Sequence, residues 1–405
     1  MNQQTNTTTQ TATPRKIYRN LVYCADVSGT GFWRHIQQIM QMDMYQRETG
    51  ILNTYTQPVI TDPKYYVGLN SVTIQRWLSD KHVEFFKKFL QPVAKQTHTA
   101  LIYAIDDAMH YEDIPLYNRG RAGFASEQTQ ENIKYMLNAS DFVVVTTKHI
   151  KEYYHRRYGV PLENIVAVPN LLPRWWYGDR YEPMKKIAQF QHFKSKPRIG
   201  IISSLSHYNI EGVKDENGAL VKDDFDEIAD LVRSTVDDFQ WVVMGYIPKQ
   251  IEDLVATKNV EFFPPVGILH YPSAIEHLSL QAVVAPLKDI EFNNCKSHIK
   301  YMECAASGIP LFASNCLPYS GVMPKEQLFN SQDELKDMLT KLKFASSGAY
   351  NKIIEQQWNW LNSEHDDGDF HIKNCWLDDN LDIWLPLFQL EPTGFKLENN
   401  HETQR

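Results

Sequence analysis

The sequence predicts an α/β protein made of two doubly wound parallel-sheet domains, on three observations. Its 405 residues exceed an ordinary single domain, so two are expected. Hydrophobic residues make up 43% of the chain, enough for two cores. Apolar runs of strand length alternate with amphipathic helical stretches, the order that parallel βαβ units require.

The opening MNQQTNTTTQTATP is polar and Thr-rich with no apolar stretch of a signal peptide, so residues 1–15 are expected to be a disordered tail. The first domain is expected over residues 16–190. Leu21 to Ala25 reads as a strand, followed by the loop DVSGTG and a helix with Phe32, Ile36, Ile39 and Met40 on one face. A glycine-bearing turn at a strand's carboxyl edge lets backbone approach a ligand. Gly29, Gly31 and Arg34 are therefore site candidates, although a plain tight turn explains the glycines equally well. Leu101 to Ile105 is a strand ending at Asp106 and Asp107. Adjacent carboxylates there suit proton transfer, metal binding or recognition of a hydroxyl, or simply cap a turn. Strands Phe142 to Val145 and Ile165 to Val168 flank a helix capped by Thr146 or Thr147. Its Lys148, Lys151, Arg156 and Arg157 either contact phosphate or solvate the helix. Trp175 and Trp176 are expected to pack at a hinge.

The second domain is expected over residues 191–375. RIGIIS is its first strand, with Ser203, Ser204 and His207 in the loop beyond, and FQWVVMGYIP, VEFF and QAVVAP supply further strands. A loop with Phe292 and Asn293 then leads into a helix on which Lys296, Lys300 and Glu303 stand at i, i+4 and i+7, one stripe. Gly308 and Pro310 end it before the buried strand IPLFAS. Two cations near a helix start and a carboxylate one turn on suit a nucleoside diphosphate whose ribose needs an acceptor. A solvated helix face is the plainer account. Asp366, Asp367 and Asp369 lack an EF-hand pattern and read as a solvated loop.

The pattern FNxxKSxxKxxExxAxGIPxxAS, from Phe292 to Ser314, resembles the donor-binding helix of nucleotide-sugar glycosyltransferases with the GT-B fold, and is most similar to the branch found in bacteriophages and bacteria. The likeness extends over about residues 19–320: strand–Asp106–Asp107–Ile-Pro, Gly159-Val160-Pro161, and a strand ending in Pro169-Asn170. It implies two Rossmann-like domains facing across a cleft bordered by Gly29, Gly31 and Arg34. It further implies a nucleoside diphosphate sugar as co-substrate, most often a uridine one, and no metal or other cofactor. Asn293, Ser297, Ser203, Ser204 and His207 fall in the donor site. Lys296 and Lys300 neutralise the diphosphate, the loop near Pro265 and Val266 holds the base, and Glu303 binds ribose, which leans toward retention at the anomeric carbon. Many members carry a first glutamate eight residues before the second, where this chain has Cys295. Residues 376–405 are expected to cross back onto the first domain.

Residues 1–195 carry 23 Lys+Arg against 17 Asp+Glu, a balance of +6, whereas residues 196–405 carry 18 against 32, a balance of −14. The acidic second half argues against a nucleic-acid-binding protein overall, while the first half suits a polyanion. With the phage-like resemblance this suggests 5-hydroxymethylcytosine in DNA as acceptor, with Arg119 and Arg121 contacting it at the cleft mouth. A cell-surface glycan, a protein acceptor, a sugar-nucleotide epimerase and a non-catalytic binding module are the alternatives. Five cysteines without a CxxC pair fit reduced thiols in a cytoplasm. No run of 18 apolar residues occurs, so no membrane span is expected.

Overall fold

The computed structural model describes residues 18–27, 29–44, 51–55, 58–177, 196–384 and 387. The expected tail and most of the segment past 384 lie outside them. One six-stranded sheet holds β1 (Tyr18–Tyr23), β2 (Ile51–Tyr55), β3 (Ser71–Gln75), β4 (Ala100–Ala104), β5 (Phe142–Val145) and β6 (Ile165–Ala167), in the order β2-β1-β3-β4-β5-β6. A second holds β7 (Arg198–Ser203), β8 (Gln240–Gly245), β9 (Val260–Phe263), β10 (Ala282–Ala285), β11 (Leu311–Ser314) and β12 (Leu328–Phe329), in the order β12-β11-β10-β7-β8-β9. All neighbouring strands in both sheets run parallel. Winding reverses between β1 and β3 and again between β7 and β10, and crevices open at such switch points outside the strands' carboxyl ends. Strands such as FVVV and ALIYA are buried throughout because helices cover both sheet faces.

The helix after β1 departs from the expected face. Gly29–Gly31 leads into a π-helical turn, Phe32–Ile36, before α-helix resumes at Gln37–Met44. A π turn accommodates one extra residue and rotates the turns downstream of it. Phe32, Ile36 and Ile39 stay buried, but Met40 turns outward while Gln37, Gln38 and Gln41 turn in. Thr147, not Thr146, caps the helix Lys148–Tyr158 by accepting from the Ile150 amide. Three cations of that helix are taken up by the protein itself: Lys151 by Asp369, Arg156 by Glu291 and Arg157 by Asp113.

The chain returns to the first half through the helix Ser347–Leu361 and the hairpin β13 (His365–Asp367) and β14 (Phe370–Ile372). Leu172 and Trp376 form a parallel bridge, and Leu377 and Trp384 join Ile102, Val144 and Val166 in one core cluster. The acidic segment is therefore not the solvated loop expected. Asp369 accepts from Lys151 Nζ and the Ala167 amide, both at 2.8 Å, and Asp367 lies 3.3 Å from His298. Lys151 and His298, on distant elements, draw two of these carboxylates in, and Asp366 alone of the three stays exposed. Among the described residues no helix is long and apolar enough to cross a membrane.

Candidate active site in the cleft between the sheets

Loops at the carboxyl ends of both sheets line a cavity of about 530 Å³, a usual size for a small-molecule site. It brings together Gly29, Arg34, Asp106 and Asp107 from the first half with Ser203, Ser204, His207, Lys296, Ser297, Lys300 and Glu303 from the second. Gly31, Asn293, Arg119 and Arg121 are not among its lining residues.

Gly31 serves the loop rather than a ligand. A Cβ there would stand 1.7 Å from the Asp26 carbonyl oxygen, and the Asp26 carboxylate ties the turn by accepting from the Gly31 amide and the Thr30 hydroxyl. Arg34 reaches the cavity with three of its donors engaged, by the carbonyls of Val145 and Val168 and by Asn170 Oδ1. Burial lowers its pKa to about 10. It anchors the ends of β5 and β6 to the helix after β1. Arg121 donates to the carbonyls of Tyr111 and Ile114, and Arg119 lies exposed 3.5 Å from Glu211. Arg121 thus braces its own segment, and Arg119 reaches the second half at Glu211.

Asp106 and Asp107 share a partner with no sequence motif. Arg76, directly after β3, donates Nε to Asp106 at 2.6 Å and an Nη to Asp107 at 2.5 Å. Its backbone sits at φ 52°, a left-handed conformation uncommon outside glycine. The two carboxyls are driven apart. Burial raises the Asp106 pKa despite Arg76, whereas at Asp107 burial is outweighed by Lys296 and Arg76, which hold it at about 2.

The second wall revises the expected stripe. The long helix begins only at Ile299, so Lys296 lies in the turn linking Glu291–Asn294 to Ile299–Ala306. A hydrogen bond from the Lys296 amide to the Asn293 carbonyl closes that turn, and Asn170 donates to Ser297 Oγ from the other half. Lys296 Nζ projects across the cleft to 3.5 Å from Asp107 Oδ1. Lys300 and Glu303 do share a helix face, but they pair with each other: Lys300 Nζ lies 2.7 Å from Glu303 Oε2 and 2.7 Å from the Tyr271 hydroxyl, which itself donates to Glu303. Glu303 raises the Lys300 pKa against the lowering effect of burial. Asn293 is buried behind this wall, donating to Asp224 and the Lys288 carbonyl. His207 is held through Nδ1, 2.7 Å from Asp224 Oδ2. Beyond the charged groups, Pro265, Val266, Ile268 and Tyr246 also line the cavity.

Among the described residues, one trio with metal-ligand chemistry lies outside the cavity lining: His149, Glu291 and Cys295, with ligand atoms within 4.8 Å of one another. Glu291 is also paired with Arg156, and burial pushes the Cys295 thiol well up, which favours the protonated form.

Two six-stranded parallel sheets facing across a cleft, with a C-terminal segment returning to the first, make this a GT-B fold. Solved structures agree. A glycosyltransferase from Rickettsia africae superposes with a TM-score of 0.52 at 12% identity, covering 92% of this chain and 98% of its own. Anabaena HepE in complex with UDP gives a TM-score of 0.57 at 11% identity, covering 92% and 100%. The same protein with UDP-glucose gives 0.52 at 11% identity, covering 84% and 95%. At such identities the likeness is one of fold. No protein-family model and no curated protein matches the sequence.

Proposed function

We propose that this protein transfers a glycosyl group from a uridine diphosphate sugar to an acceptor hydroxyl. One observation carries the reading: Lys296 crosses from the donor-side wall of the cavity to within 3.5 Å of Asp107 on the opposite wall. A nucleotide sugar lying between the walls would set its diphosphate beside Lys296 and the Lys300–Glu303–Tyr271 cluster, its ribose at Glu303 and its base against Pro265 and Val266. The Anabaena complexes with UDP and UDP-glucose, on the same fold, support this class of donor.

In the reaction the bond from the anomeric carbon to the diphosphate oxygen breaks, and the electron pair leaves with the diphosphate. The acceptor oxygen forms the new bond, and its proton passes to Asp107. Charge on the leaving group grows toward the transition state, so Lys296 stabilises that state more than the ground state. Lys296 also helps, with Arg76, to hold Asp107 ionised. A diphosphate that draws Lys296 away therefore raises the affinity of Asp107 for a proton as the acceptor arrives. Lysines, rather than a divalent ion, supply the positive charge in this scheme.

For the acceptor we carry forward 5-hydroxymethylcytosine in DNA, supported by the +6 balance of residues 1–195. A base acceptor has to leave the stack to enter the cavity. The test is transfer of labelled sugar from a panel of UDP-sugars onto hydroxymethylated DNA, plain DNA and a lipid-linked glycan. Label on the glycan alone removes the DNA acceptor and keeps the transferase. Interconversion of the UDP-sugars, with no transfer to any acceptor, replaces the transferase with an epimerase.

A further inference from the structure

Asp224 was no part of any motif, yet it organises the point where the two halves meet. It is fully buried, and its carboxylate takes four donors. The Lys288 amide (3.0 Å), Asn293 Nδ2 (2.9 Å) and the Tyr117 hydroxyl (3.0 Å) converge on Oδ1, and His207 Nδ1 meets Oδ2 at 2.7 Å. Three of these come from the second half, whereas Tyr117 comes from the first. Beside it Asn118 Nδ2 donates to the Ser206 carbonyl at 3.4 Å, so the 117–118 segment is docked on the loop that carries His207. An ionised carboxylate only accepts. Nδ1 must therefore hold a hydrogen, which leaves Nε2 as the nitrogen that His207 offers to the cavity it lines.

We propose that Asp224 is a positioning residue: by accepting from His207 Nδ1–H it fixes the ring so that Nε2, carrying a hydrogen of its own when the diphosphate is bound, donates to that diphosphate, and through Tyr117 it makes the contact depend on docking of the two halves. The inference rests on the nucleotide-sugar reading above. A buried carboxylate behind an imidazole performs this office elsewhere by setting which nitrogen faces the ligand. Here the same carboxylate also receives the hydroxyl that crosses from the opposite half, so cleft closure and ligand contact share one acceptor.

The test is a double-mutant cycle read by calorimetric titration of the full-length protein with UDP. His207→Gln and Asp224→Asn are each expected to weaken UDP binding about tenfold, the scale of a hydrogen bond to a charged group. In the His207→Gln background, Asp224→Asn should add less than about twofold, because its effect runs through the imidazole. Equal losses in both backgrounds overturn the proposal, since a merely structural carboxylate acts independently of His207. Should Asp224→Asn not fold, Tyr117→Phe takes its place in the same cycle, with a loss of roughly threefold that disappears in His207→Gln. Histidine ¹⁵N spectra give a second readout. With UDP bound, both ring nitrogens of His207 should carry hydrogens, and an Nε2 without one overturns the assignment. Failure of UDP to bind the wild type at all defeats the donor reading itself, an outcome distinct from additive losses in a protein that binds UDP.

Discussion

Arg76 makes two ion pairs from a left-handed backbone position, held by its own amide donating to the Ala104 carbonyl at 3.1 Å. Removing it leaves Asp106 buried beside a second carboxylate. Arg76→Ala should therefore lower stability by roughly 3 kcal/mol at pH 7 in urea titrations, the lower end for breaking a buried pair. The deficit should shrink as pH falls. Asp106 already has a raised pKa, and protonation removes the stranded charge. Asp107 has the opposite sign. Its folded value of about 2 lies below the ordinary 3.8, so its contribution is complete above pH 3.8 and is lost as pH falls through about 2. Lys296→Ala should weaken that acid dependence, lower the thermal midpoint at neutral pH in step with it, and cut turnover about 100- to 1000-fold. Unchanged turnover would place Lys296 outside the chemistry. Asp106, Asp107, Lys296 and Glu303 could be singled out from the sequence because each stands at a strand end or in a dense local pattern. Arg76 could not, because its partners are 30 residues away and a cation after a strand has no spacing to recognise.

At the level of elements, the sequence showed strand existence better than helix phase. Continuous apolar runs such as FVVV and AVVA became the buried strands expected of them, since burial on both faces leaves an unmistakable run. Phase failed where backbone irregularity intervened. The π turn at Phe32–Ile36 rotated Met40 outward, and the break before Ile299 put Lys296 on a turn instead of a helical stripe. Neither leaves a trace in hydrophobic periodicity. The hairpin at 365–372 was hidden for another reason: its acidic residues look solvated until Lys151 and His298 are brought to them. Gly368 makes that docking possible, at φ 57° with space for a Cβ blocked by the Ala167 carbonyl oxygen at 2.3 Å. Gly368→Ala should cost about 1–3 kcal/mol from strain and lost contact with β6. A thermal melt within error of wild type would mean that the hairpin yields freely.

Across the whole molecule, two charge environments face the cleft, and they should respond differently to salt. The donor-side cations Lys296 and Lys300 are largely enclosed and already paired with Asp107 and Glu303. Screening acts weakly on such groups, so UDP affinity should fall less than about threefold between roughly 50 and 200 mM salt. An extended polyanion behaves otherwise. Its binding to the +6 first half would release condensed counterions, while the −14 second half repels it. Neutralising even three phosphates implies a loss of about tenfold or more over the same salt range. Parallel titrations with UDP and with hydroxymethylated DNA at the two salt concentrations therefore separate the two ligands on one sample. A steep dependence for DNA beside a shallow one for UDP supports a DNA acceptor held by the first half. No measurable DNA binding even at the lower salt concentration, with UDP still bound, removes that acceptor and turns attention to neutral glycans.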